Sequence, residues 1–471
     1  MIPIRVNPQD PRPLVDQIVG AIRQQVDDRC LRAGARLPSI RSFSEAFGVS
    51  RFTTVESYDR LVAQGYLEAR RGAGFFVTPV REEAGRQPPQ DGQKRNEELV
   101  SLIRRLLQAP DGTILTGGPW LPNAWMDEMG IRQSLGALAR KNGAHLIEYG
   151  NPLGYLPLRE HLALLLSEQG ISVGASQIVL TQGTSQALDL IMRHFVRPGD
   201  AVLVDDPGYY NLFGNLRLHG ARLLAVPRNA DGPDVTALER LATEHKPRIY
   251  FTQSVLQNPT STNMSPHVSF RLLQIAERCD FLVVEDDIFC DLQVKPTPRL
   301  AALDQLRRVI HVRSFSKTLS GSLRVGFLAA HQSIANDLTD VKMLSSITSS
   351  QFMERLLYLV LVDGHYRKFL AQLHGRLGEA RLEAIRAFER VGMQLFVEPE
   401  AGMFLWARFP QVEDALVLTD SASSQGIMLA PGLVFRPHLE RSPWMRFNVT
   451  ACAHPQVLRW LEQSAATPNI G

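Results

Sequence analysis

Residues 80–98 constrain this 471-residue chain more than any other stretch. They hold Arg81-Glu82-Glu83, Pro88-Pro89 and Asp91-Gly92-Gln93-Lys94-Arg95, with almost nothing apolar. Such a composition cannot bury a core and reads as a flexible tether. The chain then divides into a small unit, 1–79, and a large one, 99–471, which suits a length too great for one ordinary domain. A hydrophobic content of 44% and a charged content of 21% fit a soluble globular protein. No apolar run is long enough to span a bilayer, and Met1-Ile2-Pro3-Ile4-Arg5 is followed by Pro- and Asp-containing sequence rather than a signal core. Cys30, Cys279, Cys290 and Cys452 lack metal-type spacing and read as reduced thiols of a cytoplasmic protein.

The first 80 residues contain eleven arginines, no lysine and eight acids, and carry the whole formal net charge of +3. Leu14, Ile18, Ile22 and Val26 repeat at helical spacing and predict a helix over 13–28. Ser39, or the Pro38-Ser39 pair, starts a second helix with Ile40, Phe43 and Phe47. Gly48-Val49-Ser50 is a turn, with Ser50 capping a third helix that runs from Arg51 toward Gly65. Two short helices joined by a glycine-containing turn form a helix-turn-helix, whose second helix enters the DNA major groove. Residues 67–77 alternate like strands around Arg71-Gly72-Ala73-Gly74, a hairpin suited to phosphate or minor-groove contact.

Strand patterns at 178–181, 201–205, 248–252, 281–286 and 309–312 alternate with helical ones such as 184–195 and 267–279. They predict an α/β sheet covered on both faces, with functional residues on loops at strand ends. Thr181-Gln182-Gly183-Thr184-Ser185 makes an anion site at a helix start. Further strand ends offer the ring of Tyr209, the amide of Asn258, and the carboxylates of Glu285-Asp286-Asp287. Ser314-Phe315-Ser316-Lys317, followed by Arg324 and Gly326, surrounds one lysine with hydroxyls and a guanidinium. That lysine can form an imine with an aldehyde cofactor while its neighbours hold a phosphate. Arg446 lies in strand-like sequence near the C-terminus.

Residues 11–79 resemble the GntR-type winged helix-turn-helix, through Leu37-Pro38-Ser39-Ile40-Arg41, Val49-Ser50-Arg51, Tyr58-Asp59-Arg60-Leu61 and Gly65-Tyr66-Leu67. The resemblance implies contact with double-stranded DNA from Arg41, Ser50, Arg51, Thr53, Arg71 and Gly72. Arg51 is the foremost candidate for a base edge, since arginine binds guanine O6 and N7 together. Residues 110–465 resemble fold-type I pyridoxal phosphate (PLP) enzymes of the aminotransferase class I/II group. The whole chain looks like the MocR-type GntR regulators, in which an aminotransferase-like domain serves as effector sensor.

Carried over residue by residue, the resemblance implies that Lys317 forms the internal aldimine and Asp286 pairs with the pyridine nitrogen. It gives Asn258 the ring hydroxyl and Tyr209 the ring face. It assigns the phosphate to Thr184, Ser185, Ser314 and Arg324, and a neighbouring subunit's phosphate to Tyr149, hence a homodimer. Arg446 would take an effector or substrate carboxylate. Which of Asp286 and Asp287 faces the ring rests on alignment alone. Two positions depart from the pattern: Phe289 stands where the enzymes usually carry a tyrosine, and Ser261 where glycine is usual. The expected function is a PLP-dependent transcriptional regulator responding to an amino compound or to PLP. The competing expectations are a working aminotransferase with an accessory DNA module, and a repressor whose large unit only dimerises.

Overall fold

The computed structural model describes residues 13–27, 31, 34–70, 73–78, 104, 108–110, 112–140 and 147–466. Contacts divide the chain into two compact units, Met1–Gln90 and Asp91–Gly471. The tether expected at 80–98, and Arg71 and Gly72, expected in the hairpin turn, lie outside the described residues.

The small unit is a winged helix-turn-helix. Helices α1 (Leu14–Asp27), α2 (Ile40–Phe47) and α3 (Arg51–Ala63) precede the hairpin of β1 (Leu67–Arg70) and β2 (Gly74–Val77). Ser39 caps α2 by accepting from Ser42 N at 3.2 Å, and Ser50 caps α3 by accepting from Thr53 N at 3.0 Å. Gly48 ends α2 at φ +65°, a left-handed conformation that costs glycine little. Ile18, Ile22, Val26, Phe43, Tyr58, Leu61, Leu67 and Val77 form the core. Tyr58 packs edge-on against Phe43 and Phe75, and its hydroxyl donates to Pro38 O at 3.1 Å. A third segment joins the hairpin: Leu37 N donates to Phe75 O and Val77 N to Ala35 O, both at 2.9 Å.

The large unit is built on an eight-stranded sheet in the order β3-β10-β9-β8-β7-β4-β5-β6. Its members are β3 (Ile178–Thr181), β4 (Ala201–Asp206), β5 (Arg222–Asn229), β6 (Gly232–Pro233), β7 (Ile249–Thr252), β8 (Leu282–Asp286), β9 (Val309–Ser314) and β10 (Gly326–Ala329). Strands β4, β5, β7, β8 and β9 pair in parallel, whereas β10 runs against both β3 and β9. Alternate side chains serve opposite faces. Leu180 and Leu203 join one core, Val179, Val202 and Val204 the other. The helix expected at 267–279 spans Pro266–Arg278, set by Ser265, which accepts from Val268 N.

Beyond the sheet, a smaller layer holds four antiparallel strands in the order β11-β12-β14-β13. These are β11 (Gln394–Leu395), β12 (Phe404–Arg408), β13 (Ala430–Pro431) and β14 (Trp444–Asn448). They pack on the helix His365–Arg390 and the helix Pro455–Ala466 through Phe388, Phe404, Phe447 and Trp460. No helix among the described residues is long and apolar enough to cross a membrane.

Removing the Ser39 hydroxyl leaves the first turn of α2 without its capping acceptor. Ser39→Ala is expected to cost about 1 kcal/mol, read by calorimetry as a lower melting point for the small unit alone.

Candidate functional site

The site forms where β3, β4, β7, β8 and β9 end on the same edge of the sheet. Successive acids at the end of β8 meet different fates. Glu285 is fully buried and accepts from Leu300 N at 2.7 Å and Ala301 N at 2.9 Å. Asp287 pairs with Arg299 at 3.0 Å. Asp286 lies between them and accepts from Gln253 Nε2 at 3.1 Å through Oδ2, while its buried Oδ1 has no partner. Burial first, and then the Asp287 carboxylate, push the Asp286 carboxyl up to about 7. Strand alternation thereby separates Asp286 from its two neighbours, which are held in structural pairs.

Lys317 follows β9. Its Nζ donates to Pro119 O at 3.1 Å and stands 5.9 Å from the centre of the Phe289 ring. Burial, and next the nearby Arg446 charge, lower its amine to about 8, against the opposing pull of Asp286. Arg446, on β14, is fully buried between Phe404 and Phe435, at 4.4 and 4.9 Å from the ring centres. It donates to Asn258 Oδ1 at 2.7 Å and to Gly117 O at 2.6 Å, and its Nε has no hydrogen-bond partner. Burial lowers its pKa, and the groups that oppose this are the Tyr210 and Tyr209 phenols rather than any carboxylate. Asn258 spends its oxygen on Arg446, which leaves its amide nitrogen as a donor. The half-buried Tyr209 has its phenol pKa raised, chiefly by burial.

Two loops meet beside β10, because Gly326 lies opposite both Thr181 and Ser314. Thr184 and Ser185 open the helix Thr184–Phe195, and Arg324 Nη2 donates to Gln182 O at 3.0 Å. Gly183 holds φ +77°, and a Cβ there would lie 2.8 Å from Arg324 Nη2, so this turn requires glycine. Ser314 Oγ accepts from Ser316 N at 3.4 Å, and the buried Ser316 Oγ has no partner. Tyr149 is 81% exposed and stands with residues 147–150 beside 348–352, in a different hollow of the same chain. Ser261 adopts φ +56°, the conformation that favours glycine, and donates through Oγ to Phe404 O at 2.9 Å. The hydroxyl ties the turn down at the position where glycine was expected.

In the small unit Arg41, Ser50 and Arg51 are exposed and Thr53 is half-buried. Arg41 is paired with Glu45 at 2.9 Å, and Ser50 Oγ lies 2.8 Å from Thr53 Oγ1. Sequence reasoning missed Gln253, Gly117 and Pro119. The last two belong to Thr116-Gly117-Gly118-Pro119, whose glycines were the available signal. A Cβ on Gly117 would lie 2.3 Å from Ala430 N.

The pocket suits PLP. Unpartnered Asp286 Oδ1 can receive a protonated ring nitrogen, Asn258 can donate to a ring oxygen, and Lys317 and Arg446 supply positive charge without an equal number of acids. Thr184, Ser185, Ser314 and Arg324 could hold the phosphate. When bound, PLP supplies an aldehyde that condenses with amines and a ring that accepts electrons.

Only the neutral amine attacks an aldehyde, so a lysine at about 8 reacts at lower pH than an ordinary one. The rate of PLP uptake by cofactor-free protein is expected to rise as pH climbs through about 8. Arg446→Gln removes a repelling cation and should move that midpoint upward. Stopped-flow absorbance of the imine measures both.

The family model for aminotransferase class I and II matches residues 130–462, and that for bacterial regulatory proteins of the gntR family matches residues 14–77. The probable rhizopine catabolism regulatory protein MocR of Rhizobium meliloti is 30% identical over 430 residues, 89% of this chain and 86% of that protein. The uncharacterized HTH-type transcriptional regulator YdcR of Escherichia coli is 28% identical over 444 residues, 92% of this chain and 94% of that protein. Among solved structures, the α-aminoadipate aminotransferase LysN of Thermus thermophilus, complexed with N-(5'-phosphopyridoxyl)-L-leucine, superposes with a TM-score of 0.71. It is 26% identical and covers 79% of this chain and 97% of its own. With a gntR-type winged helix at one end, an aminotransferase fold at the other, and PLP as the cofactor of that fold, the chain belongs to the MocR-type GntR family of regulators.

Proposed function

We propose that this protein is a cytoplasmic, homodimeric transcriptional regulator that senses an amino compound, or PLP itself, through an imine at Lys317. The observation that carries the reading is the joining of a DNA-binding unit to a pocket holding a half-buried lysine and a fully buried arginine with no paired acid. Lys317 holds the cofactor, Asp286 its ring nitrogen, Asn258 its ring hydroxyl and Tyr209 its ring face. Thr184, Ser185, Ser314 and Arg324 take the phosphate. Tyr149 reaches the phosphate of the second subunit, and its exposure suits a residue completed by a partner.

Arg446 receives the effector's carboxylate, which makes an amino acid a better ligand than a plain amine. Lys317 is released when the ligand amine takes its place. The two states then differ in charge and contacts inside the pocket. A ligand shifts the equilibrium only by its differential affinity for them. The DNA-binding, tether and sensor segments are taken as 1–79, 80–98 and 99–471. Arg41, Ser50, Arg51, Thr53, Arg71 and Gly72 meet DNA.

A second reading, transamination, is supported by the likeness to aminotransferases and by a nearly complete set of pocket groups. It is weakened at Phe289, which is buried and offers no donor where the enzymes usually have a phenol.

The test is a titration of DNA from upstream of the protein's own coding sequence, with and without PLP and a panel of amino acids. Salt is held fixed because phosphate contacts make affinity salt-dependent. At least one of these ligands is expected to change affinity by about 5- to 150-fold, the usual span of coupling between sites. Lys317→Ala should bind DNA yet lose the response to amino acids. An unchanged response in that variant would sink the sensor reading. Phe289→Tyr should raise the rate of any half-reaction with amino acids, followed by cofactor absorbance; no conversion in either protein argues against transamination.

A further inference from the structure

We propose that Phe52, with Val55 beside it, reads the 5-methyl group of a thymine in the major groove, next to the base met by Arg51. The inference rests on the DNA-binding reading of the small unit. Helix α3 buries Thr54, Ser57, Tyr58 and Leu61 on one side. Its other side presents Arg51, Phe52, Val55 and Asp59 to solvent. Phe52 is 77% exposed and Val55 36%. The two are three residues apart and share one surface of the helix. Neither belongs to the core of the unit, whose aromatic contacts join Phe43, Phe47, Tyr58 and Phe75 instead. The fold therefore makes little use of the Phe52 ring.

Position and charge indicate the occupant. Phe52 is the second residue of α3, just after the Ser50 cap, and the N-terminal residues of this helix are those that reach base edges. Arg41 and Arg51 are exposed nearby in sequence, and the first 80 residues carry the net positive charge of the chain. Duplex DNA matches that charge. Among the base-edge groups of the major groove, the thymine methyl is the apolar one. An arginine followed at once by a phenyl ring thus suits a guanine with a thymine on a neighbouring base pair. Asp59, two turns along the same side, repels phosphates and confines the apolar contact to the start of the helix.

The experiment uses full-length protein with PLP. Duplexes with a randomised core are selected for binding, and each thymine of the best-bound duplex is then replaced singly by uracil, which deletes only the methyl. At least one replacement is expected to weaken binding by about fourfold, the value of burying one methyl-sized group. Phe52→Ser, which removes no core contact, should bind thymine and uracil duplexes alike at that position while keeping the guanine preference. Equal binding of every uracil duplex by the wild type would overturn the proposal, as would an undiminished thymine preference in Phe52→Ser. If no duplex is retained from the pool, the DNA-binding reading itself fails and takes this inference with it.

Discussion

The candidate site turns on Asp286, whose buried Oδ1 is without a hydrogen-bond partner. A buried carboxylate oxygen without a donor is costly, and burial outweighs the opposing pull of Gln253, the Ile288 backbone and Lys317 on this carboxyl. Gln253 donates to the other oxygen. The acids on either side are drawn away, Glu285 to the backbone of Leu300 and Ala301, Asp287 to Arg299. Because side chains alternate along a strand, three consecutive acids at the end of β8 cannot all face one pocket. The strand thus delivers one carboxylate to the site and anchors it with the two beside it.

Positive charge around that carboxylate exceeds what it can neutralise. Arg446 stands close enough to Lys317 to lower its amine, and Arg324 adds a third cation that acts the same way. Lys342 shows what a purely structural buried lysine looks like here. It is fully buried and donates to Pro152 O, Leu180 O and Ser349 Oγ at 2.6, 2.7 and 3.0 Å. All three of its protons have acceptors. Lys317 has a single carbonyl, Pro119 O, and the ring of Phe289. Lys317 is therefore the lysine able to change partners without breaking the core. A phosphate and a carboxylate together would balance the excess charge, as the two anionic ends of a cofactor–amino acid pair do.

What the sequence made legible was local. Ser50 and Gly48 announced a helix-turn-helix because caps and turns are settled within four residues. The apolar runs of β3, β4, β7, β8 and β9 announced a sheet buried on both faces. The choice of Asp286 over Asp287 rested on resemblance, since adjacent acids differ only through distant partners such as Arg299 and Gln253. The carbonyls of Gly117 and Pro119 were invisible for the same reason. They reach Arg446 and Lys317 across 329 and 198 residues of sequence. Ser261 stands where glycine is usual, yet it holds a left-handed backbone and binds Phe404 O, a compensation that no local pattern reveals.

Phe289 bears on how such a pocket serves a regulator. Transamination needs protons delivered and removed at defined atoms, and each missing donor slows it. Binding needs only that the bound state be lower in free energy. Phe289 offers no hydrogen bond where the enzymes usually carry a phenol, and it packs edge-on against Phe404 at 5.4 Å. A sensor that converts its ligand reports the rate at which ligand arrives, whereas one that only binds it reports concentration. On the proposed reading, a lysine at about 8 and a phenyl ring at 289 would suit a site that holds an amino compound rather than one that consumes it. On that reading the substitution would act on the lifetime of the bound state, the quantity a DNA-linked sensor has to preserve.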